Sequence, residues 1–221
     1  MFPDDTRRKI ENITKGDVLE GSGDHCTAIR NFLCASFATS TTVKKEFESK
    51  LLVKEEQARL IYDYCLKNKL LVNELPSEDW YLTRGGESRI YLDEGNKCVI
   101  KLNEAVYYAT WLEFLNSVLL HNIIFENTAY DLIGFAKDNA TLIAILKQPF
   151  ITTESEVDLV DIRKHLNYNG FDNYKRNDYV HKELGLILED MHDENVLVTA
   201  DTLFFIDTVF YTVKDMNDLP N

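Results

Sequence analysis

Apolar residues recur at helical spacing in two stretches of the first third of the chain. Asp24 precedes the first and predicts an N-cap for a helix over 25–38, in which Cys26, Ile29, Leu33 and Phe37 share a face. Thr39-Ser40-Thr41-Thr42 breaks that pattern. In the second stretch Ala58, Ile61, Tyr62, Cys65 and Leu66 line up as an amphipathic face, and Pro76-Ser77 closes it. Residues 1–24 are polar, carry Gly16, Gly21 and Gly23, and read as irregular.

The texture changes at Trp80. From there to Leu102 short apolar runs alternate with the turn signals Gly85-Gly86 and Glu94-Gly95-Asn96, which predicts strand, turn, strand, turn, strand. Residues 105–120 are apolar on nearly every face and predict a buried helix. Two more strands are expected at 130–137 and 141–148, joined by Asp138-Asn139. A helix over 154–166 follows, and Gly170 ends a loop. The remaining apolar pieces are 184–188, 196–198 and 203–209, separated by acidic turns.

Composition narrows this picture. The chain has 221 residues with 45% hydrophobic and 28% charged, an ordinary globular balance that argues against wholesale disorder. The break at Trp80 divides it into a helical segment, 1–79, and a domain, 80–221. Charge divides it in the same place. Residues 1–80 carry 12 basic and 14 acidic side chains, whereas residues 81–221 carry 12 and 23. Nucleic-acid binding needs a basic footprint, so no nucleic-acid partner is expected. Cys26, Cys34, Cys65 and Cys98 form no C-x-x-C pair and predict buried, reduced thiols rather than a zinc site or a disulfide framework. The start, MFPDDTRRKIENITKG, lacks the apolar core of a signal peptide, and no apolar run reaches a membrane-spanning length. A soluble, cytoplasmic protein with no membrane partner is the expectation.

Three features then carry chemistry. The first is a glycine turn, Gly85-Gly86-Glu87-Ser88, followed by the strand Val99-Ile100-Lys101. Glycines let backbone amides approach phosphate oxygens, and a lysine on the next strand reaches phosphates as a point charge. The second is the loop Asp190-Met191-His192-Asp193-Glu194-Asn195, and the third is Ile206-Asp207-Thr208. An apolar run before each aspartate, with a hairpin-like return between them, brings Asp190, Asn195 and Asp207 to one edge. Magnesium takes one or two carboxylates plus phosphate oxygens, and phosphoryl transfer needs a further carboxylate near the acceptor hydroxyl. Asn195 and Asp207 suit the metal, and Asp190 suits the base. A solvated acidic turn is the plain alternative for this loop.

The order of these parts resembles that of the protein-kinase-like superfamily. The D-x-H-x-x-N loop is similar to that of aminoglycoside-phosphotransferase-like and related atypical kinases. More narrowly, Gly85-Gly86-Glu87-Ser88, Val99-Ile100-Lys101, His121-Asn122-x-x-Phe125, Gln148-Pro149-Phe150 and 190–195 resemble the small kinase-like domains of bacterial and phage polyvalent proteins. The resemblance covers about 80–212. It implies an α+β, minimal bilobal kinase-like fold, with an antiparallel-sheet N-lobe (80–150), a short, mainly helical C-lobe (151–221) and an added N-terminal helical segment. It implies ATP and Mg2+ as cofactors. Lys101 would orient the phosphates, with Glu113 as its ion-pair partner and Glu104 as the rival. Gln148, Pro149 and Phe150 would form the hinge at adenine. Asp190 would be the catalytic base, Asn195 and Asp207 the metal ligands, and His192 a structural histidine of the loop. Leu188 stands where classical protein kinases have histidine, and Thr208-Val209 replaces Phe-Gly, so a classical peptide groove is not expected. The acceptor would be a protein or small-molecule hydroxyl, and the acidic surface suits a basic one. A catalytically weak nucleotide-binding interaction module and nucleotidyl transfer (AMPylation) fit the same residues.

Overall fold

The structure is a computed structural model that describes residues 2–21, 23–38, 50–153 and 155–213. In chain order the helices are α1 (Asp4–Lys15), α2 (His25–Ala38), α3 (Lys50–Asn68), α4 (Trp111–Ile124) and α5 (Leu159–Tyr168). The strands are β1 (Tyr81–Arg84), β2 (Ser88–Asp93), β3 (Cys98–Asn103), β4 (Asp131–Asp138), β5 (Thr141–Pro149), β6 (Asp172–Lys175), β7 (Asp178–His181), β8 (Leu186–Glu189), β9 (Val196–Thr199), β10 (Thr202–Phe205) and β11 (Val209–Thr212). This is an α+β chain with antiparallel sheets. It divides into two compact units, Glu20–Leu115 with Tyr130–Phe150, and Met1–Leu19 with Asn116–Ala129 and Ile151–Asn221. No helix among the described residues is long and apolar enough to cross a membrane.

The first unit is built on a sheet of order β1-β2-β3-β5-β4. Its turns are where glycine and asparagine mark them. Asn139 and Ala140 take the left-handed φ values of 48° and 71° that a tight hairpin between β4 and β5 requires. Tyr91, Leu102, Ala136, Ile143 and Ile145 pack together as one buried cluster. Trp111 stands edge-on to Phe135 and Phe114 at 5.5 Å, joining the start of α4 to the sheet. Helices α2 and α3 belong to this unit. Asp24 caps α2 as expected, accepting from the Thr27 amide and hydroxyl at 2.8 Å. Cys26, Ile29 and Leu33 are buried on its inner face. The Phe37 side chain and Thr39-Ser40-Thr41-Thr42 lie outside the described residues. The face of α3 is rotated from the expected one. Gln57, Ile61 and Cys65 are buried, while Leu66 is exposed. At Gly134 a β-carbon would run into the Leu70 carbonyl, which is how the 70–72 segment lies close enough to bond Phe135.

The second unit holds α1, α5, a sheet of order β11-β8-β7-β6 and the hairpin β9–β10. Among the described residues of 151–213 there are six strands and one α-helix, so the mainly helical C-lobe expected above is corrected. The physical reason is in the runs themselves. Leu186-Ile187-Leu188, Val196-Leu197-Val198 and Val209-Phe210-Tyr211 are short apolar runs, each with β-branched or aromatic residues and bounded by turns, which favours strands over helix. Strands β6 and β7 and helix α1 were not expected. Helix α1 starts with Asp4 and Asp5, buries Ile10 and Ile13, and ends at Gly16 in the left-handed conformation.

All four cysteines are free and buried. Burial pushes the Cys65 thiol up to about 12, and burial with the charge of Asp24 pushes Cys26 higher than an ordinary thiol. Iodoacetamide near neutral pH is therefore expected to leave Cys26 and Cys65 unlabelled in the folded protein and to label both in denaturant. Fast labelling of either in the folded protein would contradict this burial.

Candidate functional site

In the first unit, β2 and β3 are aligned so that Ser88 faces Asn103 and Ile90 faces Lys101. This register puts the lysine beside the strand that leaves the glycine turn. Lys101 is buried, with its ammonium 3.2 Å from the Tyr130 hydroxyl and 5.1 Å from the centre of that ring. The turn is held by Gly85 N–H, which donates to Ser88 O at 2.9 Å. Asn103 locks it from the other side. Its amide donates to Glu87 Oε1 and Ser88 Oγ at 2.9 Å, and its carbonyl oxygen accepts from Ala105 N–H at 2.6 Å. Sequence reasoning passed over Asn103, although strand alternation places it on the same face as Lys101.

Glu113, expected to pair with Lys101, lies in the first turn of α4. Its carboxylate accepts from Ala109 N–H at 2.9 Å, while Thr110 Oγ1 accepts from Glu113 N–H at 3.1 Å, which caps the helix. Thr110 and Glu113 stand three apart, the spacing of an N-cap residue and the amide it caps. The rival, Glu104, donates its backbone N–H to Glu87 O at 3.3 Å. The loop between β3 and α4 is anchored by Lys54, whose ammonium donates to Ala105 O and Tyr108 O. Burial lowers the Lys54 pKa, against the opposing charges of Glu87 and Glu113. On β5, Gln148 is buried, Pro149 stands opposite Cys98, and Phe150 N–H donates to Lys97 O at 3.0 Å.

Tyr107 lies over the glycine turn, so close that a β-carbon on Gly86 would collide with its hydroxyl. The ring is over half exposed and able to swing aside. Gly86→Ala is therefore expected to change stability by no more than about 0.5 kcal/mol and to move the Tyr107 ring signals in NMR spectra. Unmoved signals would show that the phenol does not rest on the turn.

In the second unit two ladders converge. Strands β8 and β11 pair with Glu189 opposite Val209, and β9 and β10 pair with Val196 opposite Phe205. Ile206 N–H continues the second ladder by donating to Asn195 O at 3.0 Å. Asp190 therefore leaves one ladder, Asn195 enters the other, and Asp207 sits on the short span that joins β10 to β11. The Asn195 amide donates to the Asp190 carbonyl at 2.9 Å and lies 3.3 Å from Asp190 Oδ2. The Asp190 backbone is left-handed, with φ at 66°, a conformation aspartate and asparagine tolerate better than most residues. Two bonds hold it there. Asp190 N–H donates to Asp178 Oδ1 at 3.1 Å, and Met191 N–H donates to Asn177 O at 2.9 Å.

His192 works within the loop. Its Nδ1 accepts from Glu194 N–H at 3.2 Å, and its Nε2 lies 3.3 Å from Asp190 Oδ1 and 3.1 Å from the Asn195 amide nitrogen. The neighbourhood is acidic. Burial first, and then the charges of Asp178 and Asp190, hold the Glu189 carboxyl above the usual range.

The donor set suits a hard cation. Asp190, Asn195 and Asp207 offer oxygen, and the Asn195 amide nitrogen is already directed at Asp190. No cluster of three or more His, Cys, Asp or Glu side chains able to hold a metal occurs among the described residues.

A family model described as a serine/threonine/tyrosine kinase found in polyvalent proteins matches residues 54–214. None of the curated proteins matches the chain.

Proposed function

Since the chain belongs to the family of serine/threonine/tyrosine kinases found in polyvalent proteins, we propose that it moves the γ-phosphate of ATP to a hydroxyl acceptor. The observation that carries this reading is the convergence of two ladder ends on Asp190, Asn195 and Asp207. Lys101 holds the phosphates, and the turn Gly85-Gly86-Glu87-Ser88, closed by the bond from Gly85 N–H to Ser88 O, lines their approach. Gln148, Pro149 and Phe150 meet the base of the nucleotide. Magnesium, when bound, neutralises charge on the phosphates. Asn195 and Asp207 hold that ion, and Asp190 accepts the proton of the attacking hydroxyl. Glu113 serves by fixing the start of α4, and His192 by orienting the Asp190 carboxylate.

We take the bilobal arrangement with this reading. One lobe is taken as about 80–150 without 116–129, the other as 151–213 with 116–129, and α1, α2 and α3 are additions to them. The acidic excess after residue 80 favours a basic acceptor, a protein side chain or a small molecule, and a cytoplasmic setting would supply the ATP.

Incubation of the protein with magnesium and ATP labelled at the γ- or the α-phosphate is the test. Transfer of the γ-label to a protein or to a basic peptide is expected. Transfer of the α-label alone would replace this reading with nucleotidyl transfer. Absence of both, with no magnesium-dependent ATP binding by calorimetry, would reduce the chain to an interaction module.

A further inference from the structure

His121 is fully buried, and its ring nitrogens face two different partners. Nε2 lies 2.9 Å from the Thr128 carbonyl, which only accepts, so Nε2 carries the proton. Nδ1 is then a bare lone pair 2.8 Å from Thr208 Oγ1, and the Thr208 hydroxyl donates to it. Two neighbours make parallel ties. Thr128 Oγ1 donates to Phe205 O at 2.6 Å, and Phe210 N–H donates to Ser117 Oγ at 2.9 Å. Residues 205, 208 and 210 are thus each tied to the 117–128 segment, and Ile206 is tied to Asn195. Asp207 is the residue enclosed by these bonds.

Resting on the reading above, we propose that His121 and Thr208 are positioning residues for the metal-binding carboxylate of Asp207. The histidine, locked in one tautomer, fixes the Thr208 hydroxyl, and through it the backbone on which Asp207 stands. Groups one step behind a metal ligand typically change metal affinity about 10- to 100-fold when removed. Thr208→Val keeps the shape and removes the donor, and Thr208→Ser keeps the donor.

The probe is Mn2+, titrated in the presence of ATP and followed by electron paramagnetic resonance. Thr208→Val is expected to weaken Mn2+ binding about tenfold, and Thr208→Ser is expected to restore it. In an Asp207→Asn background Thr208→Val should weaken it no further. A folded Thr208→Val protein that binds Mn2+ like wild type overturns the proposal and leaves the kinase reading standing. A wild-type protein that binds no Mn2+ with ATP overturns both. A variant-free test is the 15N shift pattern of the His121 ring in the wild-type protein. Protonated Nε2 with bare Nδ1 supports the tether, and the opposite tautomer overturns it.

Discussion

Asp190→Asn is expected to lower γ-phosphate transfer by about 10²–10⁴-fold, the usual contribution of a general base, while ATP and magnesium still bind. Asparagine is chosen over alanine for a backbone reason. Asp190 is left-handed at φ 66°, a region asparagine enters about as readily as aspartate and alanine enters at greater cost. The neighbours also tolerate the change, because an amide oxygen can accept from the Asn195 amide or the His192 ring in place of a carboxylate oxygen. Lost activity would then report the lost base rather than a rearranged loop. The checks are single-turnover transfer of labelled phosphate and calorimetric titration of ATP with magnesium. A variant that transfers at the wild-type rate would remove Asp190 from the base role. A variant that loses nucleotide binding as well would move it to the binding set.

Phe205→Ala is expected to destabilise the protein by about 3–5 kcal/mol. Phe205 is 1% exposed and lies flat against Phe125, with ring centres 4.2 Å apart and planes within 15°. His165 meets it at 5.3 Å. Removing the ring leaves Phe125 and His165 facing a void, and packed interiors relax only partly into such spaces. A surface cleft of about 410 Å³, lined by Phe2, Phe125, His165, Leu203 and Phe205 among others, adjoins the site. Water entering from the cleft would bring the cost towards the lower end. At this chain length each kcal/mol moves the melting temperature by roughly 2–4 °C, so calorimetry should show a fall of about 10 °C. A fall of less than about 3 °C would mean that the Phe125–Phe205 stack is not part of the core of its unit.

The sheet of the first unit was legible because its turns carry their own chemistry. Gly85-Gly86, Glu94-Gly95-Asn96 and Asp138-Asn139 lie where the strands reverse. Helix α1 was not legible. It has two buried apolar residues, Ile10 and Ile13, among charged ones, too few to show a period. Strands β6 and β7 were missed because β6 is polar and its turn, with Arg176 left-handed, carries no glycine. The expectation of a mainly helical C-lobe came from resemblance and not from the residue pattern, which favours strands there. In the site, the spacing of Asp190, Asn195 and Asp207 was readable because the apolar runs around them are the ladders that converge. The bond from Ala109 N–H to Glu113 was not, because a helix cap and an ion pair draw on the same lone acid in an apolar helix. His121 and Thr208 stand 87 residues apart, and nothing local to either one names the other.

The two ladders also set which loop lengths are free to change. Three residues, 206–208, span from β10 to β11, and six, 190–195, span from β8 to β9. Both spans run between fixed ladder ends, and 190–195 is folded into tight turns of its own, so adding a residue to either one would displace a candidate site side chain. The turn at Ala200 and Asp201 is different. It is exposed, left-handed at both residues, and sits at the far end of the β9–β10 hairpin from Asn195 and Asp207. Extra length there should be absorbed by solvent, which makes this turn the natural place to graft a fluorophore or an affinity handle for following the protein at work.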